Sequence, residues 1–93
     1  MQARALAEAQ VDADRMILAT KSALAADADL LSANERAQIG SLMAGLRDAR
    51  AHGDAATIEA ATQALAKGTE AFAAQRMNHG IQKALAGKSI EAL

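Results

Sequence analysis

Between residues 2 and about 28 the apolar positions Leu6, Ala9, Ala13, Met16, Ile17, Thr20 and Leu24 return every three or four residues, the spacing of one buried helical stripe. Asp27 and Asp29 sit badly against the negative end of such a helix, so it is expected to stop near Asp27. Arg4 with Glu8, and Asp12 with Arg15, are charge pairs at helical separations along it. Next comes Ser32-Ala-Asn-Glu35, a capping box in which the Ser32 hydroxyl accepts from the Glu35 amide and the Glu35 carboxylate reaches back to Ser32. The helix it starts, about 33–51, carries Ile39, Leu42, Met43, Leu46 and Ala49 on one stripe. It is expected to end at His52-Gly53, where glycine suits a left-handed cap and Arg47 and Arg50 suit the helix dipole. Gly40 and Gly45 inside it are read as places of close backbone approach between helices.

Asp54 is the next expected cap. Beyond it Ile58, Leu65 and Phe72, with Ala61 and Thr69 between, define a third stripe over about 55–77. Met77, Ile81, Ala84 and Leu85 lie on a different face, roughly 120–220° around the helix from Phe72 at about 100° per residue. Length sharpens the mismatch. At about 1.5 Å per residue the first helix measures roughly 40 Å, the second nearly 30 Å, and residues 55–86 roughly 48 Å. A straight third helix in an up-down-up arrangement therefore overshoots the first and leaves Met77, Ile81 and Leu85 without a partner in the bundle. The pattern predicts a bend or break around Asn78-His79-Gly80, with a short fourth helix over about 80–86 folding back over Leu30-Leu31. The alternative is an unbroken helix whose second face meets a partner. By the same length comparison the first two turns, with Leu6 and Ala9, run past the end of the second helix, which makes them a second candidate interface.

Composition qualifies the core. The 93-residue chain contains 27 alanines but only 21 residues of Leu, Ile, Val, Met and Phe together. Alanine favours helix strongly and adds little buried area, so an all-α, closely packed and modestly stable single domain is expected. A chain of this size buries roughly 60–65 % of its unfolded surface. The absence of proline permits long uninterrupted helices, and the absence of cysteine excludes disulfides and thiolate chemistry. Ten basic residues interspersed with eleven acidic ones, and a single aromatic residue, argue against nucleic-acid binding. No apolar run approaches the roughly 18–20 residues that span a bilayer, so no membrane association is expected and the expected location is cytoplasmic.

Candidate chemistry is sparse. His52 and His79 lack a second ligand at helical spacing, Asp12 with Asp14 and Asp27 with Asp29 are two residues apart and point to different sides of a helix, and the serines have no nearby base. No catalytic, cofactor-binding or metal-binding residue is expected, and the chain is not expected to be an enzyme.

The stretches TEAFAAQRMNHGIQKALAGKSIEAL, AADADLLSANER and GDAATIEAATQAL resemble the end of the DnaK-type heat-shock chaperones, and in particular their branch specialised for iron–sulfur cluster biogenesis. The most specific pieces are ALAAD-x-x-LLS followed by ER, and FAA-x-RM followed by an apolar position and AL-x-G. The resemblance covers essentially all of residues 1–93. It departs from the family at Gln75, usually basic, at Asn78, usually acidic, and at Gly80. It implies a fragment of a larger chaperone: the helical lid of the substrate-binding domain, which closes over a peptide-binding β-sandwich and slows client release. The ATPase domain that binds ATP, and the β-sandwich, would precede Met1. The implied partners are that β-sandwich, a client iron–sulfur scaffold protein and a J-type co-chaperone. The competing expectation is a free-standing interaction module that binds a partner helix through Met77, Ile81 and Leu85.

Overall fold

A computed structural model describes residues 2–92 of the chain, with side chains described for residues 3–85. Four α-helices make up the described chain: α1 (Gln2–Asp27), α2 (Ala33–His52), α3 (Ala55–Gly68) and α4 (Glu70–Ala92), with a 3₁₀ turn (Ala28–Leu30) between the first two. No strand occurs among the described residues, and the expected all-α bundle is what forms.

The helix starts follow local chemistry. Ser32 completes the reciprocal capping box with Glu35, at 3.1 Å into the serine hydroxyl and 2.9 Å into the glutamate carboxylate. Asp54 caps α3 by accepting the Thr57 N–H at 2.8 Å. Both remove donors that the first turn cannot satisfy internally. Gly53 departs from expectation. Its backbone is extended (φ −92°, ψ 167°), not left-handed. Glycine is needed there because a Cβ would stand 2.7 Å from the Ala49 carbonyl oxygen.

Packing centres on α3, which lies against both α1 and α2. Leu46, Ile58 and Leu65 are the largest fully enclosed side chains, joined by Ile39, Met43, Leu31 and Phe72. The long helix α1 contributes mostly small buried residues, Ala9, Ala13 and Ala23, and these let α3 approach closely at little cost in side-chain entropy. Thr20, also buried, directs its hydroxyl to the Met16 carbonyl at 2.8 Å and is thereby satisfied.

Gly40 and Gly45 are not sites of helix approach: a Cβ on either would meet open space. The close approach occurs at Gly68, where Leu42 of α2 occupies the position a Cβ would take. Directly after it the helix is interrupted at Thr69 (φ −104°, ψ 1°). The Thr69 hydroxyl donates to the Leu65 and Ala66 carbonyls, both at 3.0 Å, the kind of side-chain intrusion into the helical ladder that bends helices.

No separate helix over about 80–86 forms: the junction lies at Thr69 and not at Asn78-His79-Gly80. Beyond it α4 runs unbroken through Gly80 to Ala92. One glycine costs a helix interior about 1 kcal/mol relative to alanine, which is too little to break it when nothing opposite rewards folding back. The result is an elongated molecule of 61 × 28 × 17 Å.

Candidate functional site

Two faces carried expectations of contact, and the structure treats them differently. At the start of α1, Ala9 is only 2 % exposed and belongs to the core, while half-buried Leu6 packs against that core. The expectation that these turns have nothing opposite them is corrected. It compared α1 with α2 alone, whereas α3 begins alongside, and Ala55 with Ala56 shares a crevice with Leu6. Ala9 is enclosed in the bundle and is not available as an open interface, while Leu6 is half-buried at the edge of that crevice.

Met77, Ile81 and Leu85 are open. They are 69 %, 49 % and 56 % exposed, spaced one per turn along the part of α4 that extends past the bundle. The opposite side of α4 holds it to the body of the protein. Phe72 is buried there, and the Arg76 guanidinium lies 5.9 Å from its ring centroid, a cation–π distance. Arg76 Nε also donates to Asp27 Oδ2 at 2.7 Å, tying α4 to the last residue of α1. Leu30 of the 3₁₀ turn meets Gln75, Asn78, His79 and Gln82 across a shallow crevice. The Asp27–Arg76 tie was not anticipated. The two residues are far apart in sequence, and only the direction of α4 after Thr69 brings them together.

Other charged groups serve the bundle. Arg50 grips Asp14 with two hydrogen bonds, 2.6 and 3.0 Å, joining α2 to α1. The bonds from Arg50, reinforced by its charge and opposed by desolvation, hold the Asp14 carboxyl below its ordinary range and raise Arg50. Thr57, through its side chain and then its backbone N–H, lowers Asp54 in the same way. Arg4 pairs with Glu8 at 3.5 Å on an exposed turn, where it adds little stability. His52 stands 4.0 Å from Asp48. Among the described residues no three His, Cys, Asp or Glu side chains converge as a metal site would require, and no described helix is long and apolar enough to cross a membrane.

Fold and surface together define an α-helical packing element with an open apolar face on α4. Comparison with known proteins takes this further. No family model matches the chain. Over all 93 residues it is 66 % identical to the protein named "Chaperone protein HscA homolog" of Delftia acidovorans, and 61 % identical to that of Paracidovorax citrulli. Over 91 residues it is 56 % identical to the homologue of Burkholderia thailandensis. The chain is thus related from end to end to HscA-type chaperones, as the sequence resemblance implied, and it spans 15 % of the length of each of these relatives.

Proposed function

We propose that the chain is the helical lid of an HscA-type chaperone, a covering element with no catalysis of its own. It closes over the peptide-binding β-sandwich and slows release of a client, by family likeness an iron–sulfur scaffold protein delivered by a J-type co-chaperone. ATP binding and hydrolysis belong to other parts of such a chaperone, in the cytoplasm. The observation that carries this reading is the end-to-end match to a segment amounting to 15 % of HscA homologues. The structure is in keeping with it: a long α1 backed by a compact bundle is a stiff shape suited to covering a surface.

A chimera tests the proposal. The matching segment of a full-length HscA-type chaperone is replaced by this chain, and release of a fluorescent client peptide is timed with ADP bound. Release from the chimera is expected to stay as slow as from the parent. Deletion of the segment is expected to speed it about tenfold, the ratio that corresponds to roughly 1.4 kcal/mol of lost closure. A chimera that releases as fast as the deletion contradicts the lid reading.

One observation favours a second, compatible reading. The exposed Met77, Ile81 and Leu85 support α4 as a docking face for a partner helix, whether the chain acts as a lid or as an interaction module by itself.

A further inference from the structure

Helix α4 is attached to the bundle at few points. Helix α3 packs along both α1 and α2, whereas α4 comes close to the end of α3 and to the 3₁₀ turn. Among the described side chains, its hold consists of one buried ring, one shallow crevice and one ion pair. Phe72 is enclosed in the core, Leu30 faces Asn78 and Gln82 across the crevice, and Arg76 Nε donates to Asp27 Oδ2 at 2.7 Å.

The covalent root of α4 is equally slight. Thr69 alone, with φ −104° and ψ 1°, separates it from α3. Gly68 and Thr69 are therefore element-terminal residues, the kind of position at which hinges sit. Beside this root an open crevice of about 160 Å³ runs between α1, at Met16 and Ala23, and α4, at Phe72 and Arg76. Side chains that border unfilled space lack dispersion contacts on that side, so a rotation of α4 here meets little packing resistance.

Arg76 is placed to oppose such a rotation. Its guanidinium lies 5.9 Å from the Phe72 ring centroid, and its hydrogen bond reaches the last residue of α1. It thereby joins the buried ring, the far end of α1 and the second turn of α4. Neither ionic partner is deeply buried: the Arg76 and Asp27 side chains are 40 % and 25 % exposed. A pair this exposed changes an equilibrium by up to about fivefold and is screened by salt.

We propose that Asp27 and Arg76 form a releasable clamp that fixes the direction of α4, and that α4 turns as a rigid helix about Gly68-Thr69 when the clamp opens. With the clamp closed, Met77, Ile81 and Leu85 are presented in one direction; with it open, the same strip moves relative to the bundle. Burial of Phe72 keeps the root of α4 in place in both states. The clamp stands on the geometry of the chain and is independent of whether the chain acts as a lid.

The chain has no cysteine, so Gln38→Cys on α2 and Ala84→Cys on α4, both at exposed positions, carry spin labels whose separation is read by double electron–electron resonance. The labelled chain is expected to give one main distance at low salt. Asp27→Asn is expected to raise a second, displaced population by up to about fivefold. Arg76→Gln is expected to raise it further, because it also removes the cation over Phe72. Arg76→Lys, which keeps the charge, is expected to stay nearer the parent than Arg76→Gln. Salt at about 1 M is expected to move the parent the same way and to leave Arg76→Gln unchanged. Far-UV circular dichroism is expected to show the same helix content throughout. A distance distribution that neither Asp27→Asn nor Arg76→Gln alters overturns the clamp, as does equal behaviour of Arg76→Lys and Arg76→Gln. A displaced population that appears only with loss of helix content assigns the change to melting of α4 and overturns the rigid turn about Gly68-Thr69.

Discussion

Helices α3 and α4 follow one another with a single residue between them, and each carries a stripe of large apolar side chains. In α3 the stripe disappears into the protein: Ile58 and Leu65 have no exposed surface. In α4 it divides. Phe72 continues the core stripe, while Met77, Ile81 and Leu85 stay open to solvent. Hydrophobic periodicity is the same kind of signal in both. What decides burial is whether another element stands opposite. Helix α3 packs against both α1 and α2, whereas α4 beyond Phe72 is held among the described residues by the 3₁₀ turn and by Asp27. An amphipathic stripe thus states a capacity to bury surface, and the lengths of its neighbours determine whether the protein itself uses it.

The sharpest way to break this comparison is to truncate one leucine in each helix. Leu65→Ala opens a cavity in the centre of the bundle and is expected to cost about 2–5 kcal/mol in chemical denaturation. Leu85→Ala is expected to change stability by no more than about 0.5 kcal/mol. Similar losses at both positions would place α4 in the core. Glycine substitutions divide in a comparable way. Gly45→Ala faces open space in mid-helix and is expected to stabilise by about 1 kcal/mol. Gly68→Ala must displace the end of the Leu42 side chain and is expected to stabilise less than Gly45→Ala, with the thermal midpoint as the readout.

Acid should act on the bundle side of the comparison. Asp14 and Asp54 are held below their ordinary carboxylate range by Arg50 and Thr57 respectively. A carboxylate with a depressed folded pKa contributes stability above its unfolded value, and that contribution is lost as pH falls through the folded one. Stability is therefore expected to decline below about pH 4, with a shallower decline in the Asp14→Asn, Asp54→Asn double variant. A decline equally steep in the double variant would assign the acid sensitivity to other groups. The smallest effect is expected at Ile81→Asp, within about 0.5 kcal/mol of the parent in denaturant, because its side chain is half in water already.

The sequence was informative where structure is decided locally. The capping box at Ser32 and Glu35, the Asp54 cap, the end of α1 near Asp27 and the stripes through Ile39, Leu46, Ile58, Leu65 and Phe72 all depend on neighbours within a few residues, and all are found. It misled where the answer depends on what lies across the bundle. Gly80 is the weak point that the sequence offers, yet a lone glycine does not end a helix without a competing packing arrangement, and the actual interruption falls at Thr69, whose hydroxyl bonds the Leu65 and Ala66 carbonyls. The start of α1 looks unpartnered when its length is set against α2 alone, and α3 is what lies alongside it. The open face of α4 is visible as a stripe; the helix does continue through Gly80, but the single unbroken helix of the alternative is interrupted earlier, at Thr69.

Native-state amide hydrogen exchange, read residue by residue along α3 and α4, tests the division between packed and projecting helix most directly. Amides around Ile58 to Leu65 are expected to exchange only through global unfolding. Those from Met77 to Leu85 are expected to exchange faster, with protection falling smoothly past Arg76 and no local minimum at Asn78-His79-Gly80. Protection of Met77 to Leu85 as strong as that of α3, or a sharp minimum at Gly80, would contradict a continuous helix whose outer face is left for another molecule to cover.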